Sequence, residues 1–492
     1  MINNLSLLKI FASLIVIFIS ILVYRNFIKP FYKVLQFKFK YRHKNIKYDL
    51  RQGVGIFGLM LKDAQYKGDI FYTIKKIAKE CPDTDLLVSN IFDRRLIIFF
   101  NAKLGQEFNM KQEYFDKNKF FIAFKYGFGQ SIFFGTHQQW KVQRGILGHH
   151  FNFDKLVQNF KMVKQVTQKY IDQIKKENKL GIQNDLIDIN KYTKKITSNI
   201  IIQSFFNDLS EEQIKEQEAI ALKIENLLES ELYYLNYSWY KLAKSVILGQ
   251  LADPTLFKSK TENQFVKGFD EVENGLAKFL DKKIEEIKTQ KNIKKNKDYL
   301  DILLDAYMEG QITKKEIHDS FVSFYFAGTD TTAQTMNSLF YQLGKNQDIQ
   351  EKLRQEIQEK IGNNDVSFEN LKQLPYLQNV MYEALRMHTP APFVFTRKCI
   401  KNTYIGDYLV EKGDLCNFYY IFDQHNSKKY ENPSVFDPDR WDKKDAQKFG
   451  STFFPFASGP RNCNKDYVAK QNLKFTYSLV NTKFSYLEPL DE

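Results

Sequence analysis

Cysteine is scarce in this chain, at four of 492 residues: Cys81, Cys399, Cys416 and Cys463. No two stand at the close spacing of a zinc site, and their density is far below that of a secreted disulfide framework. A reducing, cytosol-facing compartment follows, and three of the four read as small buried hydrophobes. Histidine offers no metal chemistry either, because His137, His149 and His150 have no carboxylate or cysteine at ligand spacing and read as loop or core residues. The sequence has no low-complexity tract, no internal repeat and no flavin or nicotinamide site. Gly53-Val54-Gly55-Ile56-Phe57-Gly58 satisfies GxGxxG formally. The preceding KNIKYDLRQ is not a buried strand, however, and no βαβ unit with a suitably placed acid follows, so a loop entering the domain is expected there.

What is present is apolar and basic. With 43% apolar residues the chain has ample material for a large core. A formal charge of +14 suits nucleic acid, an anionic membrane or an acidic partner, and its sign selects none of them. Lys, Asn, Ile, Phe and Tyr are abundant together, so the excess reads as solvated surface. The run from Lys282 to Lys297 reads as a helix end and loop, and no nucleic-acid partner is expected. From Leu5 to Tyr24 the chain is almost wholly apolar, and about twenty residues at ~1.5 Å rise cross a bilayer core. Arg25, Lys29, Lys33, Lys38, Lys40, Arg42, Lys44 and Lys47 follow at once, which keeps that side cytoplasmic. Val23-Tyr24-Arg25 lacks the small residues of a cleavage site, so residues 1–24 are expected to be an uncleaved signal-anchor. A basic linker over 25–52 and one domain over 53–492 complete the organisation.

Within the domain, Val88 to Asn101 predicts two short strands around Asp93-Arg94. Apolar residues at three- and four-residue spacing predict helices over 153–178, 185–206, 211–233, 263–290, 315–343 and 347–360. The fold class is mainly α with a minor β-sheet region.

Chemistry concentrates in five places. FFPFASGPRNCNKDYVAKQNL sets Cys463 between a Gly- and Pro-containing loop and a helix-like segment, where a helix start and Arg461 favour a thiolate. Glu383 and Arg386 are three apart, on one helix face, and FDPDRW supplies Arg440. Trp140 and Arg144, four apart, are both pure donors. FVSFYFAGTDTTAQTMNSLFYQL is an apolar helix with a polar notch at Gly328, Thr329, Asp330, Thr331 and Thr332, where a groove lined by an acid and an alcohol is expected. PAPFVFTR brings Arg397.

In register, Phe456, Gly459, Arg461 and Cys463 resemble the haem-binding loop of the cytochromes P450, and the other motifs resemble that family in the same order along the chain. The resemblance implies the cytochrome P450 fold, preceded by one N-terminal transmembrane helix. It implies haem b (iron protoporphyrin IX) ligated by Cys463, with Phe456 covering the sulfur and Gly459 turning the loop close to the porphyrin. Arg461, Trp140, Arg144 and Arg397 would then hold propionates. Thr331 and Asp330 would deliver protons to dioxygen, with Gly328 beside them, and Glu383, Arg386 and Arg440 would form a structural triad. Two features depart from the pattern: Lys465 replaces the loop's last glycine, and only 29 residues follow Cys463, so a shortened carboxyl end is expected.

The function implied is a monooxygenase of the endoplasmic reticulum membrane, single-pass with a cytosolic catalytic domain. It would insert one oxygen atom from O2 into an apolar lipid, sterol or xenobiotic, with electrons from NADPH through a separate reductase. Lys465 and Lys470 are candidates for meeting an acidic reductase face. Phe120, Phe121, Phe124, Phe128, Phe324, Tyr325, Phe393 and Phe395 are candidates for facing the substrate. Two other readings stand beside it: an isomerase or dehydratase of lipid peroxides on the same fold, and a degenerate, non-catalytic protein of that fold.

Overall fold

A computed structural model describes residues 4–51, 55–119, 122–148, 153–179, 187–206, 209–249, 253–289, 297–362, 364–442 and 452–463. Strands β1 (Ile46–Tyr48), β2 (Leu86–Ile91), β3 (Arg94–Phe99), β4 (Phe115–Lys117), β5 (Arg397–Cys399), β6 (Thr403–Ile405), β7 (Tyr408–Val410) and β8 (Leu415–Phe418) are short. Six of them form one mixed sheet in the order β1-β2-β3-β8-β5-β4, and β6 pairs with β7 alone. The hairpin expected at Asp93-Arg94 is β2 and β3, which pair antiparallel, with Phe92 at φ 48° in the turn. Both strands are buried on both faces, so Leu86-Leu87-Val88 and Leu96-Ile97-Ile98-Phe99 run apolar without alternation.

Two sets of helices cover those faces. Helix α1 (Asn4–Val23) runs through a π-helical turn at Tyr24–Ile28 into α2 (Lys29–Lys40). Val34 and Phe37 of α2, with Tyr41, pack on the face that carries Leu86, Val88, Ile97 and Phe99. Met60, Ile74 and Ala78, from α3 (Gly55–Lys67) and α4 (Tyr72–Glu80), pack on the other face with Leu87, Leu96 and Ile98. These placements correct two expectations. The basic stretch 25–52 is not a free linker, because Pro30, Val34, Phe37 and Tyr41 form a helical stripe hidden among its lysines. Lys33 also pairs with Glu411 at 3.0 Å, and Glu411 in turn meets the buried Arg95 at 3.3 Å. Likewise the GxGxxG stretch is not a loop through to Gly58, since α3 begins at Gly55. Tertiary packing of Met60, and the Asp63 carboxylate accepting from Thr73 N at 2.9 Å, hold that helix where its own periodicity gives little signal.

The helical body comprises α5 (Ala102–Met110), α6 (His137–Gly148), α7 (Phe153–Lys179), α8 (Ile189–Phe205), α9 (Glu211–Tyr237), α10 (Trp239–Leu248), α11 (Lys260–Thr289), α12 (Tyr299–Met308), α13 (Lys314–Lys345), α14 (Gln347–Lys360), α15 (Phe368–Leu371), α16 (Pro375–Met387) and α17 (Tyr420–Gln424). All six helices expected from periodicity occur, with ends shifted by a few residues. The central helix, α13, starts on a capping box in which Thr313 Oγ1 accepts from Glu316 N (3.2 Å) and Glu316 returns a carboxylate to Thr313 N (2.8 Å). Its buried side chains join two cores. One contains Met336, Leu339 and Leu343 with α8 and α16, and the other contains Phe321, Val322 and Phe324 with α11 and α12.

His388, at the end of α16, ties that helix to α13 through Gln342 Nε2 at 2.7 Å. Burial, with Lys75 and Arg386 nearby, pushes its imidazole down from 6.5 to about 4. The unfolded chain therefore takes up a proton near pH 6.5 that the folded chain refuses until about pH 4, and stability contributed by this site falls as pH drops through that window. Urea unfolding measured between those limits should show His388→Gln to be less acid-sensitive than the parent.

Candidate active site

The loop that carries Cys463 is shaped by its backbone. Ala457 (φ 64°) and Gly459 (φ 78°) are both left-handed, and Cys463 N donates to Phe456 O at 3.0 Å, folding the loop back on itself. A Cβ at position 459 would stand 2.9 Å from Asn109 O, so the α5 end demands glycine there. Asn109 Nδ2 also reaches Ser458 Oγ at 3.1 Å. The Arg144 guanidinium donates to Asn462 O (3.1 Å) and Asn462 Oδ1 (2.8 Å), clamping α6 to the residue before the cysteine. The Cys463 side chain is left exposed. Lys465 and Lys470 lie outside the described residues.

Next to this loop is an accumulation of buried and half-buried positive charge. Arg461 stacks over the Trp140 ring at 4.9 Å and donates to Gln112 Oε1 at 3.1 Å. Arg397 is buried and donates to Asn109 Oδ1 at 3.1 Å, but its Nε and one terminal nitrogen have no partner. Lys117 stands beside it because β4 and β5 pair in the register Lys117 to Arg397. Burial pushes Arg397 down to about 10; burial and then repulsion from Arg397 push Arg461 to about 10; and burial, then repulsion from Arg397 and Arg461, push Lys117 well below its ordinary value. Sequence reasoning missed Lys117; the only signal for it was a strand register that one sequence does not reveal.

Helix α13 carries the polar notch. It remains continuous through Gly328 to Thr332, even though the Thr331 hydroxyl bonds back to Ala327 O at 2.7 Å in competition with the backbone ladder. Gly328 sits where a Cβ would come 2.4 Å from Ile201 Cδ1, so this glycine admits α8. Asp330 is half-buried. Burial pushes its carboxyl up, Lys194 opposes that, and Glu225 and Glu229 reinforce it. Asp330 and Thr331 are not among the contacts that join the cationic trio to the cysteine loop.

The aromatic candidates divide. Phe124 and Phe395 (5.5 Å between centroids) join Phe128, Phe133 and Phe134 in one cluster, over which Lys117 Nζ also lies, 4.7 Å from the Phe133 ring. Phe324 instead packs on Tyr299 and Phe205, the Tyr325 hydroxyl pairs with Ser198 at 3.2 Å, and Phe393 stacks on Tyr419 at 5.0 Å. Helical rotation explains this: Phe326, not Phe324 or Tyr325, reaches the Phe128 ring, at 5.8 Å. Phe120 and Phe121 lie outside the described residues, as do His149 and His150. His137 stacks on Trp140 at 5.6 Å. A further residue not foreseen is Glu231, whose buried carboxylate accepts from Ile122 N (2.6 Å) and Ala123 N (2.8 Å) and holds the turn that presents Phe124 and Phe128.

Behind these groups, Glu383 is buried completely. It receives Arg386 Nε (2.9 Å) and NH2 (2.8 Å), Arg440 Nε (2.9 Å), Trp441 Nε1 (2.8 Å) and Asp437 N (3.1 Å). Arg386 spends its remaining nitrogen on Gln424 O (2.8 Å) and Pro433 O (2.9 Å).

The cytochrome P450 family model matches residues 56–491. The chain belongs to the cytochrome P450 family. With that membership it is a haem-dependent oxidoreductase. Among similar proteins are human cytochrome P450 4F12, 26% identical over 75% of this chain and 71% of the relative, and cytochrome P450 6B7 of Helicoverpa armigera, 29% identical over 69% and 67%. Human cytochrome P450 4F8 is 32% identical over a shorter stretch, 39% of this chain and 38% of that protein.

The residues present fit the P450 cofactor. A buried Arg397 with two orphaned guanidinium nitrogens, and half-buried Lys117 and Arg461 beside it, call for a multiply charged anion, which the two propionates of haem would provide. Arg397, Arg461, Trp140 and Lys117 would hold them. Placing that anion there raises the depressed Lys117 pKa back towards its ordinary value, so haem should bind more tightly as pH falls through the depressed value. Lys117→Met is expected to flatten that dependence and to release haem several-fold faster to apomyoglobin, and an unchanged release rate and pH profile would exclude Lys117 as a partner. In the triad, Glu383→Ala strands two buried guanidinium groups at a cost of about 3–5 kcal/mol, so the haem-to-protein ratio of the purified variant should collapse.

Proposed function

We propose that this P450 is a haem-thiolate monooxygenase of apolar substrates, a lipid, sterol or xenobiotic, held at the endoplasmic reticulum membrane with its catalytic domain cytosolic. One observation carries the reading: an anion-demanding trio, the buried Arg397 with the half-buried Lys117 and Arg461, adjoins a loop that leaves the Cys463 side chain exposed. Haem, when bound, supplies the one-electron and dioxygen chemistry that side chains lack. The protein's own groups do the rest. Cys463 would supply the thiolate that holds the haem iron, and it is positioned by the backbone bond to Phe456 and by Arg144 through Asn462. Asp330, pushed up by burial, can carry a proton closer to neutrality than an ordinary carboxylate, and Thr331 beside it passes the proton on through its hydroxyl. Phe124, Phe128, Phe133, Phe134 and Phe395 give the site an apolar wall that excludes water and favours apolar guests.

In this reading the electrons come from NADPH through a separate membrane-bound reductase. The apolar helix running from Leu8 to Lys40 has mean hydropathy 2.1 in its most apolar window, with none of that window buried, and supports a single-pass anchor.

Reduced protein treated with carbon monoxide should show the red-shifted Soret band of thiolate ligation, and Cys463→Ser should lose that band while Trp140 and Trp441 fluorescence still reports a folded chain. Turnover that requires the reductase supports oxygenation, whereas turnover of lipid peroxides without any reductant would point to an isomerase or dehydratase. A folded wild-type chain without the shifted band would overturn the reading.

A further inference from the structure

Where α4, α13, α16 and α17 meet, a cavity of about 350 Å³ opens, and Lys117, Arg397, Arg461 and the cysteine loop have no part in its wall. Ser338, on that wall, lies about two turns beyond Thr331 on α13, roughly 10 Å along the helix axis. Phe71, Met387, Pro390 and Ile421 make the apolar part of the lining.

The polar part is short of acceptors. The Lys75 ammonium gives one of its three hydrogens to Asp69 Oδ2 at 2.9 Å. Thr389 is only 7% exposed, and its hydroxyl has no partner. The protonation of His388 follows from its neighbour: the Gln342 amide nitrogen is a donor, so His388 Nε2 accepts from it. The imidazole is held down to about 4 by burial and by Lys75 and is therefore neutral, which places its single proton on Nδ1. An ammonium, an imidazole N–H and two hydroxyls, those of Ser338 and Thr389, thus line the cavity together. No aspartate or glutamate is among the described residues on its wall. Such a set calls for oxygen acceptors that carry negative charge. One cation, already shared with Asp69, matches a single charge better than the two of a phosphate ester, and the apolar lining calls for a body without polar groups.

We propose that this cavity is a second binding site, for a small monocarboxylic acid whose carboxylate sits among Lys75, His388 and Thr389 and whose apolar body lies along Phe71, Met387, Pro390 and Ile421. Bound there, the acid bridges α4 to the end of α16 and to α13, beside the bond between Gln342 and His388. It therefore tightens the contact between the helix that carries Glu383 and the helix that carries Thr331.

The test is equilibrium dialysis of radiolabelled phenylpropanoate against the haem-loaded full chain in detergent micelles near neutral pH, with a saturating azole closing the haem side. The acid should bind at one per chain, and phenylpropanol, which has the same body without the charge, far more weakly. Lys75→Met should weaken the acid about tenfold and Thr389→Val several-fold, as expected for lost bonds to a charged group. Asp69→Asn, which keeps the acceptor for Phe71 N but frees the ammonium from its carboxylate, should instead tighten it. Lys76→Ala, one residue along and outside the cavity, should leave it unchanged. A wild-type chain that binds no acid beside the azole, or that binds the alcohol as tightly, overturns the inference whether or not the variants fold. So do Lys75→Met and Asp69→Asn shifting the affinity in the same direction.

Discussion

Five donors converge on one carboxylate, Glu383, and the rest of the fold is registered by that convergence. Two donors come from α16 itself and three from the segment after Phe436, so the bond network sews the long carboxyl-side loop to the helix that faces α13. A buried ion pair gains little net stability, since desolvation offsets attraction. What it gains is discrimination: a one-residue slip of the 437–441 segment would leave guanidinium groups unpaired in the core, and no alternative packing repairs that. Trp441, one of the five donors, also packs on Phe453 at 4.6 Å, so the network touches the segment 452–463 that carries Phe456 and Cys463.

Much of this was legible in the sequence because it is local. The helices over 153–178, 211–233 and 347–360 follow from apolar spacing, and all appear nearly where the spacing puts them. Glu383, Arg386 and Arg440 could be matched by resemblance, since each sits in its own short motif. What stayed hidden is long-range. Lys117 acquires meaning only from its register with Arg397, and Glu231 only from meeting Ile122 and Ala123 across more than a hundred residues. Trp441 looked like part of a loop motif and proves to be a donor to Glu383. The basic stretch after the anchor misled for a different reason. Its lysines dominate the composition, while only a few apolar positions, spaced for a helix, decide that it packs.

The distribution of buried charge separates architecture from chemistry. At Glu383, and at Lys244, whose ammonium reaches Glu262 at 3.1 Å and Pro254 O at 2.8 Å, charge is buried with its partners supplied. At the other cluster Arg397 is buried with unpartnered donors, and it repels the half-buried Lys117 and Arg461 beside it. Such an arrangement costs stability in the chain alone, and folds retain it where something else completes it. The first kind of cluster specifies the structure, and the second specifies a guest.

That asymmetry makes haem a folding partner as well as a reagent. A ligand that binds only the folded state stabilises it in proportion to the logarithm of its concentration over its dissociation constant. Bound at this trio, the ligand would also offset the repulsion that Arg397 exerts on Lys117 and Arg461. The segments that carry the trio, β4, β5 and the cysteine loop, touch the rest of the molecule through Asn109, Gln112 and Trp140, so relieving the charge there tightens α5 and α6 together. The energetic cost of assembling the cationic site and the affinity for an anionic macrocycle are consequently the same quantity read from two sides, and any substitution that relaxes one weakens the other.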